Sequence, residues 1–206
     1  MNKIIVAGSD TNVGKTIVSA ILVTLLNGDY WKPVQCGEER DLDTNVMRNL
    51  IDTDAHHLFS SSYTLKAPLS PHHAARLENT TIELNKITLP NTERTLIIEG
   101  AGGIFAPLTI DILSIDLFKT WNCQWVIVSR HYLGSINHTL LTIEALKNRR
   151  QSILGLVFNG EPNPDSEAVI MNISNLPMIG RLLPENTLNR DTIKRYAKTW
   201  NPLKLL

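Results

Sequence analysis

Ile4-Ile5-Val6-Ala7-Gly8-Ser9-Asp10-Thr11-Asn12-Val13-Gly14-Lys15-Thr16 passes from four consecutive apolar residues into a glycine-bearing loop that closes on Gly-Lys-Thr. Such a run predicts a buried strand feeding a phosphate cradle. The loop's N–H groups and the start of the following helix face the polyphosphate. Lys15 would reach the outer phosphates and the Thr16 hydroxyl would sit on Mg²⁺. The usual spacing leaves four residues between the first glycine and Gly-Lys-[Ser/Thr], whereas five separate Gly8 from Gly14. The loop is therefore an elongated form, and ATP or GTP binding is the first expectation. A bare Gly-Lys-Thr can also be an ordinary strand-to-helix turn; a strand before it and a helix after it favour the nucleotide.

Working outward, Leu96-Ile97-Ile98, Trp125-Val126-Ile127-Val128 and Leu154-Gly155-Leu156-Val157-Phe158 repeat the pattern of the first run. Each is apolar on consecutive positions, as strands covered on both faces of a parallel sheet should be. Residues 16–26 are apolar nearly all round and predict a deeply buried helix. Ser135 is placed to cap a helix reaching about Arg149, with Ile136, Leu140 and Ile143 on one face and Lys147, Arg149 and Arg150 near its end. Residues 30–34 predict a short strand stopped near Pro33, and residues 191–199 a final helix. Strand and helix in alternation imply a doubly wound, mainly parallel α/β fold with helices on both faces, of the P-loop NTPase type. Residues 41–89 break the rhythm: polar, with Pro68 and Pro71, they predict helices and a substrate-side loop. Residues 1–206 read as a single domain.

Twenty basic residues balance twenty acidic ones, and apolar residues make up 43% of the chain. No global field attracts nucleic acid or an anionic membrane, so a small-molecule partner is expected. Cys36 and Cys123 are too few for a disulfide framework and lack metal-ligand spacing. Met1-Asn2-Lys3 runs directly into Ile4 without an apolar leader, and residues 17–26 are too short to cross a bilayer. A cytoplasmic chain is the expectation.

In such folds ligands gather at the carboxyl ends of the strands. That places Lys32 with Gln35-Cys36-Gly37, Glu99-Gly100-Ala101-Gly102-Gly103, Ser129-Arg130 and Asn159-Gly160 along one edge with the phosphate loop. Glu99, after an apolar run, suits Mg²⁺ directly or through water; otherwise it is a solvated glutamate. Lys15 and Lys32 together would put two cations beside a transferring phosphoryl group, against the default of a surface lysine. Asp54, in Asp52-Thr53-Asp54, is equally a metal carboxylate or a helix cap. His56-His57 and His72-His73 lack ligand spacing and read as structural or substrate-side.

These residues resemble the dethiobiotin synthetase family. Gly8 to Thr16 is similar to its elongated phosphate loop, including the Asp10-Thr11 pair, and Lys32-Pro33-Val34-Gln35-Cys36-Gly37 to its second block. Thr53-Asp54-Ala55, Ser70-Pro71-His72, Glu99-Gly100-Ala101-Gly102-Gly103 and Leu133-Gly134-Ser135-Ile136-Asn137-His138 follow in the family's order. The likeness spans about residues 3–160 and fades beyond. It implies that 7,8-diaminopelargonic acid, CO₂ and ATP give the cyclic urea dethiobiotin through a phosphorylated carbamate.

On this chain the resemblance implies catalytic roles for Lys15, Lys32 and Thr11. Asn12, Val13, Gly14, Lys15, Thr16 and Ile17 would bind the nucleotide, with Gly100, Ala101 and Gly102. Mg²⁺ would be held by Thr16, Asp54 and Glu99. Adenine would be read by Asn159 and Gly160 with Leu183-Pro184-Glu185. Substrate would meet Thr11, Lys32 and Cys36, and its far carboxylate Gly134, Ser135, Ile136 and Asn137 of the neighbouring subunit of a homodimer. Cys36 stands where the family usually has serine or threonine, and a thiol is the weaker donor, so weaker substrate binding is expected. Asn12 stands where an acidic residue is common, and Ser9 replaces a frequent threonine. Two rivals share the fold. A chromosome-partitioning or septum-positioning switch ATPase typically adds a lysine at the start of the loop, where Ser9-Asp10-Thr11 has none. A corrinoid amidoligase usually carries a glutamine-hydrolysing domain that 206 residues cannot hold.

Overall fold

In the computed structural model, which describes residues 2–200, the opening apolar run lies in β1 (Lys3–Gly8) at the middle of a parallel sheet. Ile4 and Val6 face one side and Ile5 and Ala7 the other, and all four are buried. Successive side chains of a strand point to opposite faces, so a strand covered twice is apolar at every position. Residue 1 and residues 201–206 of the expected domain lie outside the described residues.

The phosphate loop leads into α1 (Lys15–Leu26), then β2 (Asp29–Trp31) and β3 (Val34–Cys36). The strand expected over residues 30–34 does stop at Pro33, which has no N–H to give a ladder. The chain resumes in a different sheet. The irregular region holds α2 (Asp43–Leu50), β4 (Leu58–Phe59), β5 (Tyr63–Leu65) and α3 (Pro71–Leu77). Beyond it come β6 (Leu96–Gly103), α4 (Ser114–Phe118), β7 (Gln124–Arg130) and α5 (Ser135–Asn148). The chain continues with β8 (Ser152–Asn159), α6 (Pro164–Ser174), β9 (Met178–Leu182) and α7 (Arg190–Thr199).

Seven strands form one sheet in the order β4-β2-β6-β1-β7-β8-β9, every pairing parallel, and β3 pairs with β5 in a second, two-stranded one. The order reverses beside β1, the switch point of a doubly wound fold. On one face Val18, Ile21 and Leu22 of α1, Met47 of α2 and Ile193 and Tyr196 of α7 meet Ile4, Val6, Ile97 and Val126. On the other, Phe118, Ile143, Leu146 and Ile170 meet Ile5, Trp31, Ile98 and Trp125. Among the described residues no helix is long and apolar enough to cross a membrane.

Three local expectations change. Glu99 to Gly103 is not a loop after a strand; β6 continues through it, with Val6 opposite Glu99 and Gly8 opposite Gly103. Ser129 and Arg130 likewise belong to β7. Ser135 does not cap α5. Gly134, left-handed at φ 99°, holds that position and Ser135 is the first helical residue, buried.

Candidate functional site

The elongated loop is folded by its own polar groups. Asp10 Oδ1 accepts from the Thr11 N–H at 2.7 Å, and Lys15 Nζ donates to the Asp10 carbonyl at 3.1 Å. Asn12 and Gly14 both take positive φ, 54° and 97°. Asparagine tolerates that region locally, but Gly14 has a second reason to be glycine: a Cβ there would stand 2.7 Å from Asn159 Nδ2. That amide nitrogen donates to the Val13 carbonyl at 2.8 Å, and Gly160 N–H donates to Leu182 O at 2.8 Å. The ends of β8 and β9 are thereby laced to the limb of the loop nearest α1.

The period of two also assembles the charged centre. Tyr30 and Ile97 face α1, so Lys32 and Glu99, each two residues further on, reach the same side. Glu99, only 1% exposed, accepts from Lys32 Nζ at 2.9 Å, from Tyr30 Oη at 2.8 Å and from Thr16 Oγ1 at 3.0 Å. Lys32 Nζ also pairs with Asp43 Oδ2, while Asp43 Oδ1 lies 2.6 Å from Thr16 Oγ1. Burial pulls the Lys32 ammonium down, but the Glu99 and Asp43 carboxylates outweigh it and its pKa is raised. Lys15 goes the other way. Desolvation lowers it, Lys32 adds to that, and Glu99 and Asp43 offset only part. Asp43 is pushed up by burial and brought below the usual carboxylate range by Lys32 and Thr16. Burial and the charge on Glu99 raise Tyr30 well above an ordinary phenol, keeping it a donor.

Thr11, Asn12, Gly14, Lys15, Thr16, Ile17, Lys32, Asp43, Glu99 and Gly102 line one cavity of about 390 Å³. Asp54 is absent from it. Asp54 lies instead beside Asp29, Thr53, His56, His57 and Arg94, in a turn where its N–H donates to Asp52 Oδ1 at 3.2 Å. The metal role expected of Asp54 is corrected on that geometry. Asp43 opens α2 at the phosphate loop, and the eight residues of α2 then carry the chain about 12 Å away. Thr16, Asp43 and Glu99 offer a hydroxyl and two carboxylates, an all-oxygen set suited to Mg²⁺, which takes few protein ligands and shares phosphate oxygens and water.

The remaining expected residues divide. Gly102, at φ 62°, sits against Thr11, whereas Gly100 faces Phe118 in the core. Ala101 lines a small void with Glu99 and Pro33 rather than the main cavity. Cys36 packs against the apolar core beneath β3, and burial raises its thiol to about 11. Gly134, Ser135, Ile136 and Asn137 line a separate depression of about 840 Å³ with His131 and Tyr132. Leu183 follows β9, and the side chain of Glu185 turns to Tyr196 and Arg195 on α7. Among the histidines, His56 Nδ1 binds the Gly28 carbonyl at 2.9 Å. Asp43 and Tyr30 are the members of the centre that sequence reasoning missed.

Comparison with known proteins identifies the family. A family model described as an AAA domain matches residues 2–192. The chain is 46% identical over 197 residues to the ATP-dependent dethiobiotin synthetase BioD of Chlamydia felis (strain Fe/C-56), covering 96% of this chain and 93% of that one. It is 45% identical over 184 residues to the protein of the same name in Bradyrhizobium diazoefficiens, covering 88% and 87%. Among solved structures, a ParA family ATPase from Chlorobium tepidum TLS superposes with a TM-score of 0.58 at 12% identity, covering 96% of this chain and 99% of that one. The Pyrococcus furiosus cell division ATPase MinD gives 0.56 at 13% identity, covering 96% and 98%. At those identities the structures speak to the fold alone, while the sequence relatives match over most of the chain. The chain belongs to the dethiobiotin synthetase family.

Proposed function

We propose that the chain is an ATP-dependent dethiobiotin synthetase, a ligase of biotin biosynthesis that closes the ureido ring of dethiobiotin from 7,8-diaminopelargonic acid and CO₂. The convergence of Lys15, Lys32, Thr16, Asp43 and Glu99 on the phosphate loop carries the reading. A carbamate is a poor electrophile until its oxygen is made a leaving group. The carbamate formed on one amine attacks the γ-phosphate of ATP, releasing ADP. The second amine then attacks the carbamoyl carbon and expels phosphate.

Both the carbamate and the transferring phosphoryl group are anionic, and preorganised cations in a dry site stabilise such charge strongly. Lys32, held by Glu99 and Asp43, is fixed where that charge develops; Lys15, anchored on Asp10 O, faces the phosphates. Thr11, against Gly102 at the cavity wall, is suited to the amine end of the substrate. Mg²⁺, held by Thr16, Asp43 and Glu99, would neutralise phosphate oxygens when bound. Asn159 spends its amide N–H on Val13 and keeps its oxygen for the amino group of adenine. Gly160 and the loop after β9 border the same place.

In one chain Gly134, Ser135, Ile136 and Asn137 do not share the phosphate cavity. A homodimer with shared sites accounts for them, the N–H groups of the α5 terminus meeting the substrate carboxylate. Phe105 and Leu141, exposed at a groove of about 510 Å³ with Ser9 and Gly103, supply an apolar surface for the same dimer. The use of ATP argues for work in the cytoplasm, and the balanced charge for small-molecule partners rather than nucleic acid or membrane. The test is phosphate release from Mg·ATP and bicarbonate. It should depend on the diamine and match dethiobiotin one for one; turnover indifferent to the diamine would remove the reading.

A further inference from the structure

One phenol fixes the loop that follows β9. Tyr196, on α7 and 5% exposed, accepts a hydrogen bond from the Leu183 N–H at 3.1 Å and donates its own proton to Glu185 Oε1. It therefore grips the chain on both sides of Pro184. Arg195 adds a second hold, with Nη2 2.7 Å from Glu185 Oε1 and its guanidinium 4.9 Å from the Tyr196 ring centre. The helix carrying Tyr196 is itself fixed. Ile193 is fully buried in the core with α1, and the Trp200 indole occupies the space over Gly180, where any Cβ would stand 2.3 Å from it.

That loop occupies a telling place. Lys32 and Glu99 lie on the β2 and β6 side of the α1 terminus, so the terminal phosphate of a bound nucleotide belongs there. The remainder of the nucleotide then leaves on the opposite side, toward β8 and β9. There Asn159 and Leu182 close against Gly14, the Leu182 Cδ2 lying 3.4 Å from the position of a Cβ on Gly14. Leu183, Pro184 and Glu185 are the next surface outward, outside any regular element. Without a ladder of their own, these residues depend on side-chain bonds for a fixed shape.

We propose that Tyr196 is a positioning residue that holds Leu183-Pro184-Glu185 in place for the base end of the bound nucleotide. The assignment rests on the nucleotide reading above. It separates base from phosphate: Leu183, Pro184 and Glu185 take no part in lining the cavity of Lys15, Lys32 and Thr16, so loosening the loop should cost affinity for a nucleoside and none for a bare polyphosphate.

The experiment titrates Mg·ADP and inorganic tripolyphosphate into the wild-type chain and into Tyr196→Phe, which keeps the ring and removes the hydroxyl. Loss of two hydrogen bonds through one group should weaken ADP about 5- to 10-fold, with tripolyphosphate within about two-fold. The KM for ATP should rise in step while kcat holds. Unchanged ADP affinity, or equal weakening of ADP and tripolyphosphate, overturns the assignment. Glu185→Gln provides a second reading from the loop side should Tyr196→Phe not fold. It should weaken ADP in the same direction and less, and an unchanged affinity overturns the assignment equally. A wild-type chain that binds no ADP would instead remove the nucleotide reading, and this assignment with it.

Discussion

Lys32 stands between Glu99 and Asp43 with its ammonium almost wholly buried, so its removal acts twice. Lys32→Ala takes away a fixed cation from the developing charge, for which about 10²- to 10³-fold in kcat is typical. It also leaves two carboxylates facing each other, at a stability cost of about 3 kcal/mol; turnover and a denaturant midpoint measure the two effects separately. Asp43 and Asp54 give a sharper contrast. Asp43→Asn should lower turnover at least about ten-fold at limiting Mg²⁺, while Asp54→Asn should leave it unchanged; a Mg²⁺ titration of both variants decides. Cys36, with its thiol raised to about 11 by burial, is about one-thousandth thiolate at pH 8. Iodoacetamide should therefore modify it far more slowly than free cysteine, as mass spectrometry would follow. Lys15, Thr16, Lys32 and Glu99 were legible in the sequence because a contiguous motif or a strand's end marked each. Asp43 was not. Its helix begins after Leu42 without a side-chain cap, so no signature marked where the helix starts or which carboxylate opens it.

Glu167 shows what one element does for its neighbours. Placed on α6, it accepts from Arg181 of β9 at 2.6 Å, from His131 just past β7 at 2.8 Å and from the Asn163 N–H at 3.0 Å. Burial pushes its carboxyl up, and those bonds outweigh burial and bring it down to about 2. A depressed folded pKa means stability that is present above the ordinary value of 4.5 and lost as pH falls toward about 2. Glu167→Gln should cost about 2–4 kcal/mol at neutral pH by leaving Arg181 uncompensated. It should also flatten the acid limb between those two pH values, read from urea midpoints across pH. The helix was open to detection: Asn163-Pro164 is a cap followed by proline at the first turn, and Asn163 Oδ1 does accept from Ser166 N–H at 3.2 Å. β9 was harder. Gly180 and Arg181 interrupt its apolar run, and burial of Gly180 under Trp200 is a tertiary fact.

At the scale of the molecule, alternation of strand and helix was enough for a doubly wound sheet, since buried parallel strands are apolar throughout. The order β4-β2-β6-β1-β7-β8-β9 was not, because periodicity carries no information about which strands pair. The two-stranded sheet of β3 and β5 was hidden for the same reason. A shared-site dimer makes a prediction at this scale. Lys32→Ala and Asn137→Asp chains, each inactive alone, should recover about a quarter of wild-type activity when mixed, since half the dimers then hold one intact site. Activity that stays absent on mixing would place each site within one chain.

The measurement that bears most directly on the two-lysine cavity follows oxygen. With ¹⁸O-labelled bicarbonate, ATP and the diamine in a single turnover, the carbamate oxygen that attacks the γ-phosphate leaves with it. Released phosphate should therefore carry one labelled oxygen for each dethiobiotin formed. Phosphate without label would mean that water, not a carbamate, receives the phosphoryl group, and would contradict the account.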